Sequence, residues 1–366
     1  MVGPRGKHDP ARQAYRHGRE RRQLTLGGRR VEVEKPRART KFGAEVELES
    51  YRLFNSRDLL TEAALVRMLA GLSTRRYRAG LEPITNLEPK ATARSAISRR
   101  FVTGTSRKLA ELMGRDLHGL DLLALFIDGI ETAEHTIVAA LGVDADGRNH
   151  PLGLWEGSTE NKTVCQSLLN NLVERGLDPE RPILAVIDGG KAIRTALKAT
   201  FGARVLIARC RQHKRKNVLD HLPEEQRTFI GRKLDKAWRE TDSERAEQEL
   251  RALAGQLQAD HPGAAASLRE GLEETLTVTR LGLSPSLLRT FKSTNPIESM
   301  ISVARTVTGN VKRWRSGEIV LRWTAAGVKE AEKQFRRVNG YRDLPLLRAA
   351  LERTLPPGDA VATATG

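Results

Sequence analysis

The sequence predicts an α/β protein whose mixed-sheet core is split by an all-helical stretch and preceded by a separate helical region. Three observations carry this. Apolar runs of strand length, LLALFID (122–128), HTIVAALGVD (135–144) and HPLGLWEG (150–157), follow one another, with the turn residues Asp146 and Gly147 between the last two, so an antiparallel meander is expected. Helix and strand patterns then alternate. NKTVCQSLLNNLVERG (161–176) places Val164, Leu168, Leu169 and Leu172 on one helical face with Gly176 as its stop, and PILAVID returns as a strand. A second helix is expected over 191–200, and ARVLIAR (203–209) is the last strand. From about 211 to 290 strand patterns cease and charged helical runs such as ETDSERAEQELRAL (240–253) take over. Three antiparallel strands followed by α-β-α-β is the order of a ribonuclease-H-like fold, with the helical stretch inserted in it.

The expected domains are a basic arm over 1–50, a helical region over 51–119, a core over 120–222 and 291–352, a helical insertion over 223–290 and a frayed tail over 353–366. Residues 1–40 hold twelve basic side chains against four acidic ones. Within them LTLGGRRVEVEKPR (24–37) reads either as a small β-ribbon turning at Gly27-Gly28 or as part of an unstructured basic tail. In the helical region Leu59, Leu60, Leu65, Met68 and Leu69 recur at helical spacing, followed by a Gly-containing turn. Such a pattern suits a helix-turn-helix module, with 73–81 or 94–103 as the recognition helix and Arg75, Arg76, Arg78, Arg99 and Arg100 as candidate DNA contacts.

Lys plus Arg number 62 and Asp plus Glu 45, a formal charge of +17, so a polyanion is the first partner to consider. Two cysteines do not make a disulfide framework, and no apolar stretch is long enough to span a bilayer, which points to a reducing cytoplasm and no membrane partner.

Three acids stand in chemically informative settings. Asp128 ends LLALFID, Asp188 ends PILAVID, and Glu298 sits in STNPIES just after Pro296, at a helix start. Carboxylates at buried strand ends and on a first helical turn can converge on hard divalent cations, which take oxygen ligands. Read singly, an Asp-Gly pair begins a turn and a first-turn Glu complements the helix dipole.

At these residues the chain resembles bacterial insertion-sequence transposases of the Mutator type. The resemblance rests on RHGRERRQLTLGGRRVEVEKPRAR, LFIDGI, GLWEGSTEN, VIDGGKA, CRQHKRKNVLDHLP and STNPIESM, in that order over nearly the full length. It implies a ribonuclease-H-like core with a DDE triad on Asp128, Asp188 and Glu298. Those three residues would hold two Mg²⁺ (or Mn²⁺) ions per site, with Asp128 shared between them. It also implies a Cys-x-x-His signature on Cys210 and His213. The implied partners are double-stranded DNA, as terminal inverted repeats and as target, and further copies of the chain in a dimer or larger assembly on DNA. The implied setting is the bacterial cytoplasm, at the nucleoid. A catalytically silent DNA-binding relic and a ribonuclease-H-like nuclease are the alternatives.

Other candidates carry two readings each. Cys210 and His213 lack two further zinc ligands in the sequence; His213 reads as a site-lining or helix-start residue and Cys210 as packing, while the signature makes both accessory active-site candidates. Lys214, Arg215 and Lys216, and Lys312, Arg313 and Arg315 around Trp314, suit phosphate contact, with Trp314 and Trp238 able to stack on a displaced base or to pack internally. Glu156 and Glu160 are weaker acids of interest.

Overall fold

A computed structural model describes residues 2, 6, 10–55, 58–83, 90–132, 135–157, 161–309, 311, 314 and 316–354. The chain divides into two compact units, Met1–Arg107 and Lys108–Gly366.

In the first unit, β1 (Ala14–Leu26) and β2 (Arg29–Thr40) form an antiparallel ribbon, longer than the 24–37 segment that signalled it. Gly27 and Gly28, with φ of 56° and 84°, make the two-residue turn, which needs positive φ at both positions. Two helices follow, α1 (Glu49–Asn55) and α2 (Leu59–Leu69), the latter capped by Asp58. The 73–81 segment is not a helix. Its backbone makes isolated turn bonds, such as Arg76 N–H to the Ser73 carbonyl. Tyr77 is wholly buried and donates its hydroxyl to the Gly28 carbonyl at 3.2 Å. A segment this short gains too few helical bonds to offset nucleation, and the buried Tyr77 fixes another path. The helix forms instead at α3 (Arg94–Met113), whose Gly104 lets Thr61 and Leu65 of α2 approach closely.

The second unit is built on a five-stranded sheet in the order β5-β4-β3-β6-β7. The strands are β3 (Leu122–Thr132), β4 (His135–Asp144), β5 (Asn149–Gly157), β6 (Ile183–Ile187) and β7 (Val205–Arg209). The first three pair antiparallel as the meander predicts, and β3-β6-β7 run parallel. Both faces are covered, which is why β6 reads as an unbroken apolar run. On one face Leu125, Ile127, Ala185 and Ile187 pack with α4 (Lys162–Glu174) and α5 (Lys191–Phe201), and Cys165 is buried there.

After β7 the chain is helical: α6 (Arg211–Leu219), α7 (Glu224–Ala237), α8 (Ser243–Leu257), α9 (Pro262–Arg269), α10 (Leu272–Arg280), α11 (Pro285–Phe291), α12 (Asn295–Thr308), α13 (Gly317–Glu332) and α14 (Leu344–Arg353). A separate core runs from Val218 to Leu276 around Leu234, Trp238 and Leu250. Helix α10 serves two cores: Leu272 and Leu276 face this helical block, while Val278 joins the sheet's second face with Phe126, Val186, Ile297 and Met300. Helices α12 and α13 cross closely at Gly327, where an added Cβ would stand 2.7 Å from the Ala304 Cα. Among the described residues no helix is long and apolar enough to cross a membrane.

Candidate active site

Strand register assembles the site. Ile127, Ile187 and Arg209 are partners across β3, β6 and β7, so the next residues, Asp128, Asp188 and Cys210, stand in one row of the sheet. Neighbouring strands lie about 4.8 Å apart, so the Asp128 and Asp188 backbones stand side by side. The Cys210 N–H donates to the Ile187 carbonyl at 2.8 Å and extends the row. Alternation then sets the direction. Phe126, Val186 and Ala208, two residues earlier, all lie in the core beneath α12, so the three row residues emerge on that face.

Asp128 does not end its strand. β3 continues to Thr132 against β4, with Asp128 opposite Ala139, because β4 still offers ladder partners there. What ends at Ile127 is the parallel pairing with β6. Asp188 follows β6 directly, in a turn where the Gly190 N–H donates to its Oδ1 at 2.9 Å; the Gly129 N–H holds Asp128 Oδ1 in the same way at 2.9 Å. Gly189 has φ of 114°, and an added Cβ would lie 2.2 Å from the Arg209 Nε. Only glycine lets that guanidinium lie against the Asp188 turn.

Glu298 comes from the first turn of α12, behind Pro296. Its N–H donates to the Thr294 carbonyl at 3.0 Å, and the Thr294 hydroxyl donates to its Oε1. Thr294 is wholly buried, and its hydroxyl also lies 3.3 Å from His213 Nδ1. His213 Nδ1 is 3.9 Å from Glu298 Oε1, and both side chains are 38% exposed. Cys210 caps α6 and bonds to both His213 and Thr294. Sulfur, ring nitrogen and carboxylate oxygen of Cys210, His213 and Glu298 lie within 4.8 Å of one another. The sequence offered Cys210 both as an accessory site residue and as packing; the register puts it in the row of Asp128 and Asp188.

The electrostatics tie the groups together. Burial pushes the Asp128 carboxyl up to about 6, and the charges of Asp188 and Glu298 add to the rise, against the Gly129 amide and His213. The hydrogen bond with Cys210 lifts His213 to about 9, helped by the charges of Cys210, Glu298 and Asp128 and opposed by burial. Burial raises the Cys210 thiol, but bonds with His213 and Thr294 outweigh it and the net shift is downward.

The remaining predicted residues divide. Lys214 is wholly buried and donates to the Ser267 and Glu270 carbonyls at the end of α9, so it does not contact DNA. Burial lowers it to about 8. Trp238 is buried, with its indole N–H on Thr275 Oγ1 at 3.2 Å, and cannot offer a free stacking face. Trp314, partly buried, packs edge-on against Trp323 at 6.5 Å and against the sheet core. Arg215 pairs with Asp235 at 3.2 Å, and Lys216 is exposed. Arg75, Arg76, Arg78 and Arg99 are exposed, whereas Arg100 donates to the Ala91 carbonyl at 2.6 Å. Glu156, on edge strand β5, pairs with His135 at 2.7 Å. Lys312, Arg313, Arg315 and Glu160 lie outside the described residues. Sequence reasoning missed Thr294 and Arg209; the Gly189-Gly190 doublet was the signal that a side chain lies against that turn.

Comparison with known proteins shows the family of the chain. The family model for transposases of the Mutator family matches residues 3–338. The transposase for insertion sequence element ISRM5 of Rhizobium meliloti (strain 1021) is 26% identical over 353 residues, covering 94% of this chain and 85% of that protein. The transposase for IS6120 of Mycolicibacterium smegmatis is 28% identical over 298 residues, covering 79% and 90%. The transposase for IST2 of Acidithiobacillus ferrooxidans is 28% identical over 199 residues, covering 54% and 66%. With a family match over nearly its whole length, this chain belongs to the Mutator family of transposases.

Proposed function

We propose that this chain binds the terminal inverted repeats of an insertion sequence and cuts and joins DNA there, with Asp128, Asp188 and Glu298 as its catalytic acids. The observation that carries the reading is the convergence of two row-mate aspartates and a first-turn glutamate whose charges raise Asp128. The strand order supports a ribonuclease-H-like core.

The donor set fits hard cations. Each Asp commits one oxygen to a backbone amide, which fixes the carboxylate's orientation, and Thr294 does the same for Glu298. Asp128 and Asp188 would hold a pair of Mg²⁺ or Mn²⁺ ions between them, Asp128 shared, with Glu298 completing the set. When bound, such ions supply Lewis acidity to the attacking and leaving oxygens. Burial first, and the charges of Asp188 and Glu298 after it, disfavour the ionised form of Asp128, a cost that a bound cation would offset. His213, protonated at neutral pH, places a cation beside the acids where a non-bridging phosphate oxygen would sit.

The reaction balances as two displacements at phosphorus. In cleavage, a water oxygen bonds to phosphorus at the element boundary, the bond from phosphorus to the 3′-oxygen breaks, and a 3′-hydroxyl is left. In joining, that hydroxyl attacks a target phosphodiester and displaces the target's own 3′-oxygen. Two ends must meet, which calls for a dimer or larger assembly on DNA. Arg75, Arg76, Arg78, Arg99 and Lys216 are exposed and would meet phosphate.

The test is a labelled duplex carrying the terminal repeat, incubated with Mg²⁺, with Mn²⁺ and with chelator. Metal-dependent nicks at the repeat boundary followed by joined products are expected. Tight repeat binding with no nicking in any metal would instead mark a DNA-binding relic. Metal-dependent cutting indifferent to the repeat would mark a nuclease.

A further inference from the structure

One set of donors in the site is chemically unlike the rest. Cys210, His213 and Glu298 offer sulfur, nitrogen and oxygen within 4.8 Å of one another. Cys210 is the N-cap of α6 and His213 lies in its first turn, so the three-residue spacing brings thiol and ring to one side of the helix start. Glu298 arrives from α12. All three meet at one small group, the Thr294 hydroxyl, which donates to Glu298, lies 3.3 Å from His213 Nδ1 and bonds Cys210. The thiol forms a buried floor, while the His213 and Glu298 side chains, each 38% exposed, leave a route for an ion.

Ligand softness separates this set from the paired aspartates. Thiolate and imidazole select zinc-like ions, whereas carboxylate oxygens alone suit magnesium. A Cys-His-Glu set supplies three protein ligands and leaves one position open to water. The sequence showed only two of the three ligands, since nothing in it tells that STNPIES returns to the start of α6.

We infer that Cys210, His213 and Glu298 form a second cation site, for a thiophilic divalent ion of the zinc class, and that filling it draws Glu298 away from Asp128 and Asp188 and halts the reaction. Binding converts the sulfur and the ring nitrogen into donors and releases their protons to solvent. Only the inhibitory half rests on the proposed catalytic role of Glu298.

Co²⁺ is the probe, because a thiolate–Co²⁺ bond gives a near-ultraviolet charge-transfer band that oxygen and nitrogen ligands do not. Titrating the metal-free full chain should give a band saturating at a single ion per chain and erased by an equivalent of Zn²⁺. It should be lost in Cys210→Ser, kept in Cys165→Ser, whose thiol lies in the opposite core, and formed with weaker Co²⁺ affinity in Glu298→Gln. A wild-type chain without the band, or a band that survives Cys210→Ser, overturns the site. So does an affinity unmoved by Glu298→Gln, a partly exposed change that carries the test if Cys210→Ser fails to fold. Zn²⁺ at the displacing concentration should abolish Mg²⁺-dependent nicking; nicking with the site filled overturns the inhibition. Failure of Mg²⁺ alone to support nicking would count against the triad and leave the Co²⁺ result standing.

Discussion

Asp128 is held above the ordinary carboxylate range because burial and the charges of Asp188 and Glu298 disfavour its ionised form. Its pKa rises from 3.8 to about 6 on folding, so between those values the folded chain keeps a proton that the unfolded chain has lost. The stability it contributes is present at low pH and falls as pH rises through about 6. Asp128→Asn should therefore stabilise the metal-free chain at pH 7.5, on the order of 1–2 kcal/mol, with the gain shrinking at pH 4. Thermal unfolding in chelator measures it; an equal gain at both pH values would remove the titration as its cause. Lys214 and Lys216 make a second contrast. Lys214→Ala strands two buried carbonyls and should cost about 2–4 kcal/mol in denaturant unfolding. Lys216→Ala should leave stability within about 0.5 kcal/mol and, in its proposed role as a phosphate contact, lower the salt slope of DNA binding by about 1. The three acids could be picked out because two close apolar runs before a glycine and the third follows a Pro-led helix start; that the aspartates share one row is set by strand register. Within the run Lys214-Arg215-Lys216, Lys214 was misread because a basic run does not state which side chain faces in. The signal was there, since Arg211, Lys214 and Val218 share one face of α6 and all are buried.

Elements place the acids more firmly than any single contact. Glu298 reaches the sheet because α12 packs on β3 beside α13, and the α12–α13 crossing depends on Gly327 against Ala304. Gly327→Val should force the helices apart and cost about 1–3 kcal/mol. It should also lower metal-dependent cleavage by more than the unfolded fraction explains, as α12 carries Glu298 with it. Melting temperature and cleavage rate measured together check this, and an unchanged melting temperature would contradict the close crossing. The meander and the following helix–strand alternation were readable because apolar period and turn residues agreed over each segment. Two features were not. The extension of β3 past Asp128 is decided by its partner β4 rather than by its own sequence. The turns at 73–81 are decided by Tyr77, which sequence alone cannot place under Gly28.

At the scale of the whole molecule, the charge of +17 was legible at once, but its distribution was not. Some of the cations are structural: Arg211 is buried with its guanidinium on the Thr275 and Trp238 carbonyls and Thr279 Oγ1, and Lys214 closes α9. The remainder should still dominate end binding, so affinity for a terminal-repeat duplex should fall steeply between about 50 and 200 mM salt; a flat profile would contradict phosphate contact. The helical block between β7 and α12 has a core of its own, yet α10 ties it to the sheet, so α6 and the Glu298 loop are braced together: Arg211 N–H donates to the Lys292 carbonyl at 2.9 Å. Under the proposed function these elements converge on a metal-dependent catalytic centre. The most direct test of that function measures nicking and repeat binding side by side for the wild-type chain and Asp128→Asn in Mg²⁺. Nicking abolished with repeat affinity near wild type is the predicted result; nicking that persists in Asp128→Asn would contradict it.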